Sequence, residues 1–189
     1  MQKQGAWLSD ASAANAEIIA QLGFDFVVLD IEHGIFDIAA LEQFIPFVKS
    51  CGLEVFAKVL GPERIPIQQS LDFGSDGVII PHIEGVDHAQ RVTEYAKFPS
   101  IGSRSLAGGR TVNYGGFTDE WVRVQNRTTK VFPMIEDPRA LEDVERIAAL
   151  GSVDGLFIGP GDLSLMRGRG VYRQTPEDLE DFRRIAASS

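Results

Sequence analysis

Along this chain the apolar residues do not alternate with polar ones; they gather in short runs, among them Phe26-Val27-Val28-Leu29, Val78-Ile79-Ile80 and Leu156-Phe157-Ile158. Runs of this kind suit parallel strands buried on both faces, whereas a sheet with one wet face reads as alternation. Each run is introduced in the same way: a helix-like stretch closes on a glycine, an acidic residue follows, and the strand begins. Leu22-Gly23-Phe24-Asp25, Phe73-Gly74-Ser75-Asp76 and Leu150-Gly151-Ser152-Val153-Asp154 are three copies, and Cys51-Gly52-Leu53-Glu54 ahead of Val55-Phe56-Ala57 is a fourth. The pattern is an internal repeat of βα units, and helix-length connections between parallel strands imply right-handed crossovers. Seven candidate strands follow, over 6–8, 26–32, 54–59, 77–83, 101–106 (the weakest), 131–136 and 155–159.

The predicted fold is therefore α/β, a TIM (β/α)8 barrel lacking its eighth strand and last helices, as one domain over residues 1–189 truncated at its C-terminus. Thr175-Pro176-Glu177-Asp178 carries a helix-start signal, so the chain is expected to end in a helix, either as a shortened barrel or as an open sheet closed by a neighbouring chain. The glycine-rich stretch from Ala107 to Gly116 reads as a long loop.

Composition narrows the function classes. With 44% apolar residues the chain can bury a core, and 18 basic against 27 acidic side chains give a net charge of -9. That charge repels nucleic acid and anionic lipid surfaces. Cys51 is the single cysteine and cannot form an internal disulfide, no apolar run is long enough to span a bilayer, and Met1 to Gly5 leads into a strand rather than an apolar signal core. A cytoplasmic enzyme is expected.

In a barrel the polar residues just past each strand form the active site. Here those residues are Asp30-Ile31-Glu32-His33, Lys58, Glu136-Asp137 and Gly159-Pro160-Gly161-Asp162. Glu136 and Asp162, from different strands, offer the hard oxygen ligands that Mg²⁺ or Mn²⁺ prefers, although Asp162 equally suits a helix N-cap before Leu163-Ser164-Leu165. His33, directly after an acid at a strand end, is poorly explained as core filling. Lys58 reads as a rim cation or, if desolvated, as a Schiff-base amine. Asp72, two residues before a helix-ending glycine, opposes the helix dipole and so invites a functional reason. His82 lines the pocket after Pro81, whereas His88 sits in a solvated helix start.

The strand ends Leu29-Asp30-Ile31-Glu32-His33, Leu71-Asp72-Phe73-Gly74, Met134-Ile135-Glu136 and Phe157-Ile158-Gly159-Pro160-Gly161-Asp162-Leu163-Ser164 together resemble the HpcH/HpaI aldolase family, which is similar to citrate lyase β subunits and the phosphoenolpyruvate/pyruvate barrels. The resemblance implies a class II, metal-dependent aldolase that cleaves 4-hydroxy-2-oxo acids reversibly to pyruvate and an aldehyde. It implies that Glu136 and Asp162 coordinate Mg²⁺, Mn²⁺ or a similar ion, that His33 is the base, and that Asp72 orients it. It further implies that Glu32 positions a water at the metal, that backbone N–H groups around Gly161 and Asp162 receive the pyruvate carboxylate, and that Arg104 binds a longer substrate's carboxylate, unless it only anchors its loop. A homo-oligomer is also implied. Two positions depart from the family: Lys58 stands where an arginine is expected and Met134 where a glutamine is expected. Two rival readings are an acyl-CoA lyase of the citramalyl-CoA kind, for which the chain shows no basic cluster, and a catalytically silent barrel acting in binding or assembly.

Overall fold

The computed structural model describes residues 2–188. Its strands are β1 (Gly5–Leu8), β2 (Phe26–Asp30), β3 (Glu54–Lys58), β4 (Gly77–Ile80), β5 (Lys130–Ile135) and β6 (Phe157–Ile158). Between and after them run α1 (Ala13–Gln21), α2 (Ile38–Ser50), α3 (Arg64–Asp72), α4 (Val86–Thr93), α5 (Asp119–Thr128), α6 (Pro138–Glu142), α7 (Val144–Ala148), α8 (Pro160–Met166) and α9 (Pro176–Ser188). All neighbouring strands are parallel, in the order β1-β2-β3-β4-β5-β6. The sheet curls: the ring of Trp7 on one edge strand lies 5.9 Å from that of Phe157 on the other. The result is a six-stranded parallel half-barrel.

The repeated glycine and acid each have a physical task. Gly23, Gly52 and Gly74 take φ of 81°, 88° and 107°, the left-handed turn that ends a helix and that glycine adopts without a Cβ penalty. The aspartates then pin neighbouring strands: Asp25 accepts from the N–H of Gln4 at 2.7 Å, Asp76 from Val55 at 2.9 Å and Asp154 from Val131 at 3.1 Å. The motif thus satisfies a backbone donor at the foot of the adjacent strand, which is why it recurs with the strand spacing.

The outer face of the sheet is covered by helices, and the inner face is closed only in part, by the curl of the sheet on itself. Val27, Leu29, Val55, Ala57, Val78, Ile80, Val131 and Ile135 are fully buried against the helices. On the inner face Val28, Ile79 and Met134 pack with Phe26, Phe56, Phe132 and Phe157, and successive rings meet edge to face at 5.3 and 5.5 Å.

One expected strand is absent. Residues 101–106 are irregular, because β4 pairs directly with β5 (Gly77 opposite Lys130) and leaves no place in the sheet. Their backbone is satisfied elsewhere: the N–H of Ser103 donates to Glu94 O and that of Arg104 to Lys97 O, both at 2.8 Å. The sheet therefore stands two strands short of eight, not one. The predicted terminal helix is present as α9, with Thr175 Oγ1 accepting from the N–H of Asp178 and Asp178 Oδ2 accepting from the N–H of Thr175. Among the described residues no helix is long and apolar enough to cross a membrane.

Candidate active site

Because every strand is parallel, the residues past their C-terminal ends collect on one rim. The centre of that rim is an ionic cluster built on the register between β2 and β3, which sets Asp30 beside Lys58. Lys58 is buried and pairs with Asp30 Oδ1 at 3.2 Å and with the Glu32 carboxylate through a very short contact. Asp30 also accepts from Trp7 Nε1 at 3.1 Å and from the N–H of His33 at 3.3 Å, so its buried charge is fully met. Burial pushes the Glu32 carboxyl up, but hydrogen bonds from Lys58 and His82 outweigh it and hold Glu32 below the usual range. Lys58 is thus neither an open rim cation nor a free amine; it neutralises two carboxylates beneath the rim.

Glu136, one residue past β5, is the opposite case. Burial pushes its carboxyl up, the N–H of His82 at 2.6 Å and the nearby imidazole oppose that, and the charges of Asp162 and Glu32 push it further up. A carboxylate buried among other carboxylates is a ready receptor for a cation. Asp162 lies in the first turn of α8 and is exposed, and the N-cap position belongs to Gly159, so Asp162 is not used as the cap. No group of three His, Cys, Asp or Glu side chains able to hold a metal forms among the described residues. Glu136 and Asp162 are nevertheless close enough for their charges to interact, with open space at Gly161, and such a pair fits Mg²⁺ or Mn²⁺, which take one or two carboxylates and complete their shell with water and substrate oxygens.

Gly159 makes this arrangement possible. A Cβ there would stand 2.7 Å from both Cβ and Oε2 of Glu136 and 2.8 Å from Met134 Cε. Gly159→Ala should therefore displace the Glu136 carboxylate and cost about 1–3 kcal/mol in overpacking. A urea midpoint equal to that of the parent would show that the carboxylate moves aside freely.

The other sequence-predicted residues divide. His33 is largely exposed, with Nε2 3.5 Å from Glu32 Oε2, and it belongs to the cluster. Asp72, expected to orient His33, has no contact with it: its carboxylate is taken by Arg104 Nη2 at 2.8 Å. Arg104 is buried, stacks over the Phe98 ring at 4.8 Å, and leaves its Nε without a partner. Burial pushes its guanidinium below the ordinary value despite the pairing with Asp72. Arg104 therefore anchors the loop past α4 and is not offered at an open rim. Met134 faces inward, buried, with no hydrogen-bonding group for a substrate. Sequence reasoning placed Asp30 and Gly159 at the strand ends but gave neither a role of its own. It gave His82 only a lining role, whereas His82 Nε2 lies 2.5 Å from Glu32 Oε1 and its Nδ1 3.5 Å from Glu136 Oε1.

Known proteins carry the same architecture. The chain is 31% identical over 164 residues to 2-dehydro-3,6-dideoxy-6-sulfogluconate aldolase of Pseudomonas putida, covering 87% of this chain and 64% of that protein. It is 34% identical over 171 residues to hydroxypyruvate/pyruvate aldolase of Paraburkholderia phytofirmans, covering 87% of this chain and 65% of the relative. This chain thus spans less than two thirds of the length of these curated relatives. The crystal structure of HpcH/HpaI aldolase from Desulfitobacterium hafniense superposes with a TM-score of 0.90 at 25% identity, covering 98% of this chain and 73% of that one. The sequence profile of the HpcH/HpaI aldolase/citrate lyase family matches residues 3–189, and the chain belongs to that family.

Proposed function

We propose that this half-barrel carries the site of a divalent-metal-dependent aldolase, which cleaves 4-hydroxy-2-oxo acids to pyruvate and an aldehyde and runs the addition in reverse. The observation that carries the reading is the Glu136 carboxylate, buried at the end of β5 on the rim that also holds Asp162 and Glu32, with burial pushing its carboxyl up. Such a group is costly to ionise without a cation and well suited to hold one.

Glu136 and Asp162 are the two protein ligands in this reading. A bound Mg²⁺ or Mn²⁺ ion supplies Lewis acidity toward the keto oxygen of pyruvate, several kcal/mol of charge stabilisation. His33 Nε2 takes the pyruvate methyl proton in the addition direction and returns it on cleavage. Glu32 Oε2 lies 3.5 Å from that nitrogen and fixes where the imidazole stands on the rim. Lys58 and His82 hold the Glu32 carboxyl below the usual range, and Asp30 keeps Lys58 in place. Met134 and the sequestered Lys58 present no fork to the aldehyde half of the substrate, so the partner aldehyde is recognised by groups nearer the open rim.

Proton NMR of pyruvate in D₂O tests the reading. Loss of the methyl signal is expected with Mn²⁺ present and is expected to stop on chelation. Exchange that survives chelator and is blocked by borohydride with pyruvate would move the chemistry to Lys58. No exchange from a folded, metal-loaded sample would remove the aldolase reading.

A further inference from the structure

We infer that His82 is a positioning residue that sets both acidic groups of the rim through two separate parts of itself: its main-chain N–H fixes Glu136 and its imidazole fixes Glu32. The inference rests on the reading of Glu136 as a metal ligand.

The geometry begins with the backbone. β4 ends at Ile80, Pro81 follows, and His82 takes φ of 58°, the left-handed region that a non-glycine residue enters only at a cost. That conformation turns the N–H of His82 across toward the end of β5, where it donates to Glu136 Oε1 at 2.6 Å. The side chain of the same residue lies between the two carboxylates, with Nε2 2.5 Å from Glu32 Oε1 and Nδ1 3.5 Å from Glu136 Oε1. One residue therefore spans β2, β4 and β5 at the rim and holds two mutually repelling carboxylates in fixed places.

The imidazole has no competing employment. The side chain is more than half exposed, and its two ring nitrogens both face carboxylates, so burial does not explain a histidine here. Lys58 cannot perform its task, because the ammonium approaches Glu32 from below through Oε2 and leaves Oε1 to His82. With only Lys58 in place Glu32 would be free to pivot about Oε2, and Oε2 is the oxygen nearest His33. A second tie on Oε1 removes that freedom. Partners that orient a site's ligands without reacting commonly change metal affinity or turnover by about 10–100-fold when lost.

The two parts separate by mutation because left-handed backbone is selective. Glycine adopts it freely and asparagine tolerates it, whereas a β-branched residue does not. His82→Gly keeps the N–H on Glu136 and removes the imidazole; His82→Val disturbs both; His82→Asn keeps the backbone and returns a shorter donor toward Glu32. Mn²⁺ affinity, measured by calorimetry on the folded protein without substrate, is expected to stay within about 3-fold of the parent in His82→Gly and His82→Asn and to fall about 10-fold or more in His82→Val. The pyruvate methyl exchange rate at saturating Mn²⁺ and pyruvate is expected to fall about 10-fold or more in His82→Gly, with partial recovery in His82→Asn. A purely structural role would lower the melting temperature of these variants without splitting affinity from rate in this way. If His82→Val does not fold, His82→Ala takes its place, with a smaller loss of affinity expected in the same direction.

Glu136→Gln runs alongside as the control. If it loses Mn²⁺ binding while His82→Val or His82→Ala binds as tightly as the parent, the main-chain tie to Glu136 is refuted on its own. If His82→Gly exchanges protons at the parental rate, the imidazole's hold on Glu32 is refuted. If Glu136→Gln binds Mn²⁺ like the parent, the metal reading fails and the inference falls with it.

Discussion

Glu136→Gln should lower metal-dependent pyruvate proton exchange by about 10³-fold, since it removes a ligand of an ion that supplies several kcal/mol at the reacting oxygen and each 1.4 kcal/mol is a factor of ten. The same substitution should stabilise the metal-free protein at neutral pH. The Glu136 carboxyl is raised, first by burial and then by the charges of Asp162 and Glu32. The folded chain therefore binds a proton here more tightly than the unfolded chain does. A raised group contributes stability that is fully present below its unfolded value, near 4.5, and is lost as pH rises through the higher folded value. At pH 7 the parent bears the cost of the buried charge and glutamine does not. Thermal unfolding in chelator should thus show the variant above the parent at neutral pH, with the gap closing as the solution is acidified through the carboxylate range. With Mn²⁺ the order should reverse, because only the parent gains from binding. A variant less stable than the parent in chelator at pH 7 would mean that Glu136 is compensated within the protein and has no need of a cation.

The second large effect concerns stability. Lys58→Met is expected to destabilise the fold by about 3–5 kcal/mol, because it leaves two buried carboxylates without their cation. Asp30 and Glu32 are each about one-tenth exposed and Lys58 less, so solvent cannot take over the ammonium's task. Asp30 retains only the neutral donors Trp7 Nε1 and the His33 N–H. Urea unfolding near pH 7 reads the loss, and it should shrink as pH falls through the lowered folded range of Glu32, where the stability its pairing contributes is lost in the parent too. Lys58→Arg keeps the charge and should recover most of the stability. A methionine variant with the parental urea midpoint would place the cluster in contact with water.

Much of this could be read from the chain before any coordinate. The glycine and the acid ahead of each strand mark βα junctions, and a parallel sheet necessarily gathers its strand ends on one rim. Glu32, His33, Glu136 and Asp162 were therefore legible as a group, since each lies within a few residues of a strand end. The limits appear wherever a partner is distant in sequence. The Lys58 tie to Glu32 spans 26 positions, the Asp72 tie to Arg104 spans 32, and the His82 tie to Glu136 spans 54. Nothing in the local pattern said that Asp72 would meet Arg104 rather than His33.

What the sequence by itself determined is the class of fold and the rim residues, because hydrophobic runs, turn glycines and capping acids act over a few neighbouring positions and need no knowledge of strand order. What only the tertiary structure decided is which charges meet. Direct pairing of β4 with β5 expelled residues 101–106 from the sheet, the β2–β3 register put Asp30 against Lys58, and the left-handed backbone at His82 brought one residue to both Glu32 and Glu136. Those outcomes depend on strand order, register and curl, which arise from the simultaneous packing of both sheet faces and leave no periodic trace in the chain.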